Sequence, residues 1–466
     1  SEDEDGTTGP DKWLKYFKNG RTQVRVTPSL YVQWDIVPWL SFKSTFGADY
    51  QSIRSDMFKG QKINYTRGSN GSSSLISRFK YNWDNMFMFN KKFGLHSISG
   101  TAGMTMTSNM SGTQTVSGWY LTQDNAMTAS VNGAVSPYNS TTFSASKNTI
   151  LSFLARAVYD YRNRYTLTAT FRADGSSRFQ GANKWAYFPS FAGAWRISEE
   201  RWFGVKSISM AKLRLGWGMV GNEGIPSYRT MPLYTTTTVS DHTASNLSGS
   251  QIGTYLSYVA NPNLKWETTS QVNAGLDMGF FKGRLTFSAD YYFKKTKDLL
   301  FWLSVPESAG TRGYYGNVGD IANKGVELEL NGILIEKNDM SWTAGFNMAY
   351  NKNLVTKLTA SDEEAAGIET GGISGGTGNN TQLIQVGYPM RSFYLYQQVY
   401  DTDGNPINGV YVDRDNDGQI TDKDKYVGHH ADADFTFGFN TRFTYKNWTA
   451  ALSGHAAIGN WVYNNV

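Results

Sequence analysis

An acidic loop near the end of the chain has the spacing that most specifically indicates chemistry. It runs from Asp413 to Asp424 and places Gly418 at its sixth position. Calcium prefers six to eight oxygen ligands, and a glycine at that position allows the sharp turn on which such ligands converge. The candidate ligands are Asp413, Asp415, Asp417, Gln419 through its carbonyl, Thr421 and Asp424. Calcium or another divalent ion is therefore predicted here.

Two features of this loop leave an alternative open. The twelfth position of an EF-hand loop usually holds a glutamate, and the shorter Asp424 predicts weaker binding. The helices that flank an EF-hand are also missing from the surrounding pattern. A solvated Asp/Asn/Gly turn without an ion explains the same residues.

Other residue groups predict no catalytic centre. The absence of cysteine excludes a disulfide framework, a thiolate zinc site and a cysteine nucleophile. The segment from Asp174 to Arg178 lacks the strand-to-helix context of a phosphate-binding loop, so we predict a structural strand end. The histidines and the adjacent glutamate pairs show no spacing for metal binding or acid–base work: His96, His242, His429, His430, His455, Glu199, Glu200, Glu363 and Glu364. We predict that the protein is not an enzyme.

The elements that must position these residues are β-strands with one apolar and one polar face. From Tyr165 to Asp174 every second residue is apolar, and the residues between them are threonines followed by an arginine and an aspartate. The same period of two recurs in residues 284–293, 342–350 and 434–445. Each pattern lasts about ten residues, the length with which a tilted strand crosses a bilayer.

The connections between strands alternate in length. Short turns are predicted around residues 35–39, 90–94, 161–164, 281–283, 336–339 and 446–447, whereas long polar loops are predicted at roughly 51–75, 108–148, 219–264, 296–320 and 354–431. Short periplasmic turns and long extracellular loops are typical of a transmembrane antiparallel β-barrel, with about fourteen strands in this chain. A soluble β-sandwich or propeller is the alternative, but its strands average five or six residues.

Composition agrees with this all-β interpretation. The chain has 466 residues, 47 of them Gly and 15% aromatic, and its formal net charge of +5 is too small to indicate nucleic-acid binding. No apolar stretch reaches the roughly 18 residues of a membrane helix. Eight tryptophans near predicted strand ends fit the aromatic girdles of a barrel: Trp34, Trp39, Trp83, Trp195, Trp217, Trp266, Trp342 and Trp448.

An ordered series of motifs resembles one family of transporters. The series includes Asp174-Gly-Ser-Ser-Arg-Phe179, Leu213-Arg-Leu-Gly-Trp-Gly218, Asn261-Pro-Asn-Leu-Lys-Trp-Glu267, Asp290-Tyr-Tyr-Phe-Lys-Lys-Thr-Lys-Asp298 and Asn323-Lys-Gly-Val-Glu327. Over nearly its whole length the chain resembles the SusC/RagA family of TonB-dependent outer-membrane transporters of Bacteroidota.

The resemblance implies a barrel of 22 strands, plugged by an N-terminal domain, in the outer membrane of a Gram-negative bacterium. It implies active import of oligosaccharides or peptides with a SusD-like lid lipoprotein, energy from TonB–ExbB–ExbD, and contact with outer-membrane lipid and lipopolysaccharide. We find no match to the plug, the TonB box or the terminal strands, so we expect residues 1–466 to be a central part of the barrel domain.

The resemblance leaves the mode of transport and the ligand open. A passive, porin-like diffusion channel and a siderophore-type TonB-dependent receptor are the alternatives to active nutrient import. The long loops carry aromatic and polar residues that suit sugars, peptides or a lid protein equally well. The substrate-contacting residues are not identified by the sequence.

Overall fold

In a computed structural model the described residues are 9–63, 68–119, 139–239, 251–305, 308, 310–358, 367–373 and 380–464. A single short α-helix, α1 (Pro10–Tyr16), precedes 25 strands within these residues, and a few 3₁₀ turns lie between the strands. No helix among them is long and apolar enough to span a membrane. The chain divides into two compact units, and the boundary between them passes through several strands.

The first unit comprises Ser1–Asn90, Thr101–Ala155 and Ala173–Arg178. Its strands are β1 (Phe17–Val26), β2 (Ser29–Val37), β3 (Leu40–Lys59) and most of β4 (Asn70–Phe93), β5 (His96–Trp119) and β6 (Asn139–Tyr161). They neighbour one another in the order β1-β3-β4-β5-β6, and β2 also pairs with β3. Pro28 separates β1 from β2, because proline cannot donate a ladder hydrogen bond.

The second unit comprises Lys91–Gly100, Arg156–Arg172 and Phe179–Val466. After β7 (Tyr165–Ser176), its main strands are β8 (Trp185–Arg196), β9 (Ile208–Asn222), β12 (Glu267–Phe280), β13 (Leu285–Lys297), β16 (Gly319–Lys337), β17 (Met340–Leu358), β24 (Phe435–Tyr445) and β25 (Trp448–Ile458). From β8 onward they neighbour one another in that order, and each pair with a described register is antiparallel.

The strand count agrees with the sequence prediction. The large sheet has 15 strands, and β1 and β2 pair with successive parts of the same edge of β3. Because those two strands share one position, the sheet is 14 strands wide, as predicted. The six predicted short turns also join neighbouring strands, as at Phe281–Arg284 between β12 and β13.

Several strands are longer than the ten residues predicted from alternation. Both β4 and β5 have 24 residues. The far parts of these strands are rich in Ser, Thr, Asn and Gly, so the apolar signal ends while the backbone ladder continues. A ladder requires backbone donors and acceptors but no apolar side chains. As a result the connection predicted at 51–75 shrinks to residues 60–69.

The predicted long loops contain strands of their own. Residues 219–264 include β10 (Leu233–Val239) and β11 (Gln251–Tyr258), and residues 296–320 include β14 (Leu300–Ser304) and β15 (Gly313–Asn317). The stretch 354–431 holds a four-stranded sheet and a hairpin, formed by β18 (Ile368–Gly372), β19 (Asn380–Ile384), β20 (Ser392–Tyr396), β23 (Lys425–His430), β21 (Gln398–Tyr400) and β22 (Pro406–Tyr411). These strands have only three to eight residues each, too few for alternation to give a clear signal.

A small apolar core, here called the rim core, lies where the long connections of the second unit meet. Its members are buried side chains from β8, from the residues just before β12 and from the connections that follow β7 and β9: Phe179, Ala186, Phe188, Ile225, Leu264 and Trp266. The prediction that Trp266 belongs to an aromatic girdle is wrong. Its ring contacts Phe179 and Phe188, and its indole N–H donates to the Lys184 carbonyl. A tryptophan with a buried, satisfied N–H is a core residue.

Candidate functional site

The acidic loop connects β22 to β23 in the second unit. Asp422–Asp424 form a single 3₁₀ turn that leads directly into β23. Thr421 caps this turn, since its hydroxyl accepts from the Lys423 N–H and its own N–H donates to Asp424. The loop is therefore held at its end by the four-stranded sheet.

Three of the predicted ligands come together in the folded loop. Carboxylate oxygens of Asp413, Asp415 and Asp424 all lie within 4.8 Å of one another. They belong to the first, third and twelfth positions of the predicted calcium loop. Like charges at this separation repel one another in the absence of a counter-charge. The grouping is the arrangement that a hard divalent cation needs.

Asp424 is the fixed member of the group. Its side chain is 0% exposed, and its two oxygens accept from the backbone N–H groups of Arg414 and Thr421, each at 2.7 Å. Hydrogen bonds to the charged form, the Thr421 N–H foremost, lower the pKa of Asp424 below its ordinary value. Asp424 is thus held as an anion at neutral pH.

Asp413 is the member with an unsatisfied oxygen. Its Oδ2 accepts from the Gly418 N–H at 2.8 Å, whereas its Oδ1 is buried and has no hydrogen-bond partner among the described residues. Asn416 and Gly418 have φ angles of 59° and 81°, and this left-handed backbone turns the loop back toward Asp413. A buried acceptor without a partner costs free energy unless something else ligates it. The geometry fits a bound cation.

The other predicted ligands are not in the carboxylate group. Asp417 accepts from the Gln419 N–H at 2.8 Å, and the Thr421 hydroxyl caps the 3₁₀ turn. The one cation within the loop's acidic half, Arg414, stacks 4.9 Å from the Tyr426 ring and donates to Gln397 at 2.8 Å. The guanidinium of Arg414 is therefore occupied by these partners.

His96, His429 and His430 contact neighbouring side chains or backbone, and their contacts are those of structural residues. Among the described histidines, His96 bonds to the Tyr159 hydroxyl, and His429 stacks on Trp461 with ring centroids 3.7 Å apart. His430 Nδ1 lies 2.7 Å from the Asp432 carbonyl, and His455 lies in β25. His242, Glu363 and Glu364 lie outside the described residues.

Glu200 is the best-anchored carboxylate of the predicted glutamate pairs. It accepts hydrogen bonds from Tyr165, from Arg164 at 3.0 Å and from Trp195 at 3.1 Å. Glu199 beside it is exposed. The two carboxylates therefore do not converge. The hydrogen bonds of Glu200 connect the turn that precedes β7 with the turn that follows β8.

The Gly/Ser segment that follows Arg172 ends a strand, as predicted. Asp174 and Ser176 are buried within β7, and the Thr149 N–H donates to the Ser177 hydroxyl at 2.9 Å. Among the described residues only a single 3₁₀ turn, Gly181–Lys184, follows this segment before β8, and no α-helix does. The segment therefore lacks the helix N-terminus that a phosphate-binding loop requires.

Sequence reasoning missed one cationic side chain with an unusual environment. The Arg229 guanidinium lies 4.1 Å from the centroid of the Tyr258 ring, 5.6 Å from that of Tyr315 and 5.8 Å from that of Trp302. These rings come from two hairpins and their flanks, far apart in sequence. No local spacing could have revealed the grouping, because it depends on the packing of β11 beside β14 and β15.

Comparison with known proteins identifies the fold family. The sequence profile described as "TonB dependent receptor-like, beta-barrel" matches residues 6–456. The chain is 39% identical over 323 residues to the TonB-dependent receptor SusC of Bacteroides thetaiotaomicron, covering 68% of this chain and 32% of that protein. It is 31% identical over 456 residues to TonB-dependent receptor P3 of Formosa agariphila, covering 94% and 44%.

A solved structure shows the same fold. The RagAB peptide transporter superposes with a TM-score of 0.82 over 98% of this chain and 50% of that one, at 22% identity. The chain therefore spans a third to a half of the length of the proteins that it matches.

Proposed function

This chain belongs to the TonB-dependent receptor β-barrel family and is an outer-membrane protein of the SusC/RagA type, and on that premise we propose that the complete receptor actively imports oligosaccharides or peptides. Its energy comes from TonB, and a SusD-like surface lipoprotein closes over its outer mouth. The family consists of receptors and transporters, not enzymes. The matched relatives are about two to three times as long as the aligned part, so the plug and the TonB contact are assigned to the complete receptor.

The single observation that carries this proposal is the 39% identity to SusC over 323 residues, which is 68% of this chain. The fold also supports an outer-membrane transporter, because apolar side chains such as Leu215 and Val272 are exposed on one face of the sheet. The other face of the same strands holds a polar network of Arg214, Asp277 and Asp290. A sheet that separates lipid from a polar interior needs this division.

We also propose that the acidic loop binds Ca²⁺ as a structural ion. Asp413, Asp415 and Asp424 are its carboxylate ligands, and the unpartnered Oδ1 of Asp413 supports this assignment. A bound divalent ion would offset most of the negative charge of the three neighbouring carboxylates and so hold the connection between β22 and β23 in one conformation. It carries no chemistry of its own in transport.

Affinity purification of the complete receptor from its native outer membrane tests the transport proposal. We expect a surface lipoprotein to co-purify in stoichiometric amount, and cellular uptake of the bound glycan or peptide to stop when a protonophore collapses the proton-motive force. Uptake that continues at the same rate after collapse would contradict active import and favour the passive channel.

A further inference from the structure

A box of three aromatic rings holds the side chain of Arg229 at the long-connection end of the second unit. Tyr258, Trp302 and Tyr315 each lie within 6 Å of the guanidinium, the distance over which a ring face attracts a cation. Trp302 packs edge-to-face on Tyr315 with ring centroids 5.3 Å apart. We call this group the arginine box.

Backbone and side-chain hydrogen bonds tie the box together. The Asn261 N–H donates to the Arg229 carbonyl at 3.1 Å, and the Asn261 side chain donates to the Tyr315 carbonyl at 3.0 Å. The Tyr258 hydroxyl donates to the Tyr228 carbonyl at 2.8 Å. Tyr315 also packs against the rim core. The guanidinium is therefore presented from a fixed framework and not from a free loop.

The charge of Arg229 has no counter-ion within the described part of the chain. None of the ion pairs found there includes it, and its Nε is buried without a hydrogen-bond partner. The rings interact with the guanidinium through its charge and leave its in-plane N–H donors unused. The two Nη groups have no hydrogen-bond acceptor among the described residues, and Arg229 is half-buried. The Nη end of such a guanidinium is suited to bidentate recognition of a planar oxyanion.

We propose that the arginine box binds a carboxylate of the transported ligand. Arg229 pairs with the carboxylate, and the Trp302 ring, 36% exposed, provides an adjacent surface on which the rest of the ligand stacks. A carboxylate occurs at the C-terminus of a peptide and on the uronic acid units of a glycan, and both present the same planar group. This inference rests on the proposed function and narrows its ligand class to acids.

Binding to the purified complete receptor tests this proposal. One arm compares a short peptide having a free C-terminus with its C-terminal amide, and the other compares an oligouronate with the neutral oligosaccharide made by reducing its carboxylates. We expect one acid to bind at least about tenfold more tightly than its neutral partner, because charge-assisted bidentate hydrogen bonds are stronger than neutral ones. The arm that shows the difference identifies the source of the carboxylate.

Variants then assign the effect to Arg229. Arg229→Gln should abolish the preference for the acid, and Arg229→Lys, which keeps the charge, should retain part of it. Arg312→Gln, in the connection between β14 and β15, is the matched control and should keep the full preference. Equal binding of acid and neutral forms in both arms, or an unchanged preference in Arg229→Gln, overturns the proposal.

Folding and the proposed function are checked separately. Co-purification of the surface lipoprotein with Arg229→Gln shows that the variant folds and assembles. Energy-dependent uptake of a neutral ligand by the wild type, without any acid preference, would leave the import function intact and reject the arginine box. Loss of energy dependence for every ligand would instead reject the import function.

Discussion

Asp413 and Asp424 are carboxylates of the same loop, yet their surroundings give them different parts in it. Asp424 is fully buried and satisfied by two backbone N–H groups, so it fixes the geometry of the loop with or without an ion. Asp413 has one oxygen without a partner, and Asp415 is exposed beside it. At the residue scale, the cation is therefore expected to matter most to Asp413 and Asp415.

Calcium should stabilise the complete receptor through this loop. Saturating Ca²⁺ at about 100 times its dissociation constant would add about 2.7 kcal/mol, seen as a higher unfolding midpoint than in EGTA. Asp415→Asn should reduce that shift, because it removes one of three grouped carboxylates. Asp403→Asn, in the acidic turn between β21 and β22, is the control and should leave the shift unchanged. Identical wild-type midpoints in Ca²⁺ and EGTA would refute a structural ion.

Glu200 makes a pH-dependent contribution to stability. Its hydrogen bond from Tyr165, followed by those from Trp195 and Arg164, holds the pKa of Glu200 below its ordinary value of 4.5. A depressed folded-state pKa stabilises the fold above the ordinary value, and this contribution is lost as the pH falls through the lowered one. Glu200→Gln should thus lower the unfolding midpoint near neutral pH, and the difference from wild type should shrink in acid. Glu199→Gln, which changes an exposed carboxylate, should have the wild-type unfolding midpoint both near neutral pH and in acid. If Glu200→Gln lowers the unfolding midpoint by the same amount in acid as near neutral pH, the ionisation of Glu200 is not involved.

The rim core shows how an element-scale structure arises from motifs that are separate in sequence. Leu264 and Trp266 come from the motif before β12, Phe188 from β8 and Phe179 from the residues before it. Each motif is too short to bury its own apolar side chains. Their mutual burial orders the long connections of the second unit, on which the arginine box rests.

Leu264→Ala should destabilise the rim core. Leu264 is 0% exposed, and truncating a fully buried leucine costs about 2–5 kcal/mol because it leaves a cavity. Limited proteolysis within 219–264, together with the unfolding midpoint, measures the effect. Leu233→Ala in β10, where the side chain is 49% exposed, should change stability by no more than about 0.5 kcal/mol. Equal cleavage of both variants would contradict the assignment of a core.

A glycine in β12 makes room for an ion pair that crosses three strands. Arg214 in β9 pairs with Asp277 in β12 at 2.7 Å and with Asp290 in β13 at 2.9 Å. Gly275 lies directly between Arg214 and Asp290 in the strand register. A Cβ at Gly275 would lie 2.4 Å from Asp290 Oδ1 and 2.6 Å from the Arg214 guanidinium carbon. The missing side chain is what lets the guanidinium span β12.

Gly275→Ala should break this ion-pair network. Displacing the guanidinium leaves partly buried charged groups unpaired, at a cost of about 1–3 kcal/mol. We expect a lower unfolding midpoint and a lower folded yield in the membrane. Gly47→Ala in β3 is the matched strand control, because no atom lies within 4 Å of its added Cβ. A Gly275→Ala receptor as stable as Gly47→Ala would show that the network contributes nothing.

At the scale of the whole molecule, the two outermost strands of the large sheet need further partners. Within the described part of the chain, β1 and β25 each end the strand order of the sheet. Unpaired backbone groups facing lipid cost several kcal/mol each, so open edges are not tolerated in a membrane. The relatives are long enough to supply more strands. We propose that the complete receptor closes the sheet with strands outside these residues.

Electrical recording distinguishes a plugged importer from an open pore. The complete receptor reconstituted in a planar bilayer should show no sustained conductance, because the proposed plug fills the lumen. A known passive porin recorded under the same conditions provides the positive control. Sustained, voltage-independent conductance from the receptor would favour the diffusion-channel alternative over TonB-driven import.

The amino-acid sequence alone determined the main strands of the large sheet, the short turns, the family and the position of the acidic loop. All of these depend on local signals, namely a period of two, turn residues and contiguous motifs. Tertiary structure decided that Trp266 belongs to the rim core, that Asp417 lies apart from the three grouped carboxylates, and that Arg229 lies among three rings. These outcomes depend on which distant segments of the chain pack together. The alternation of apolar and polar residues along one strand carries no information about the tertiary contacts of the loops.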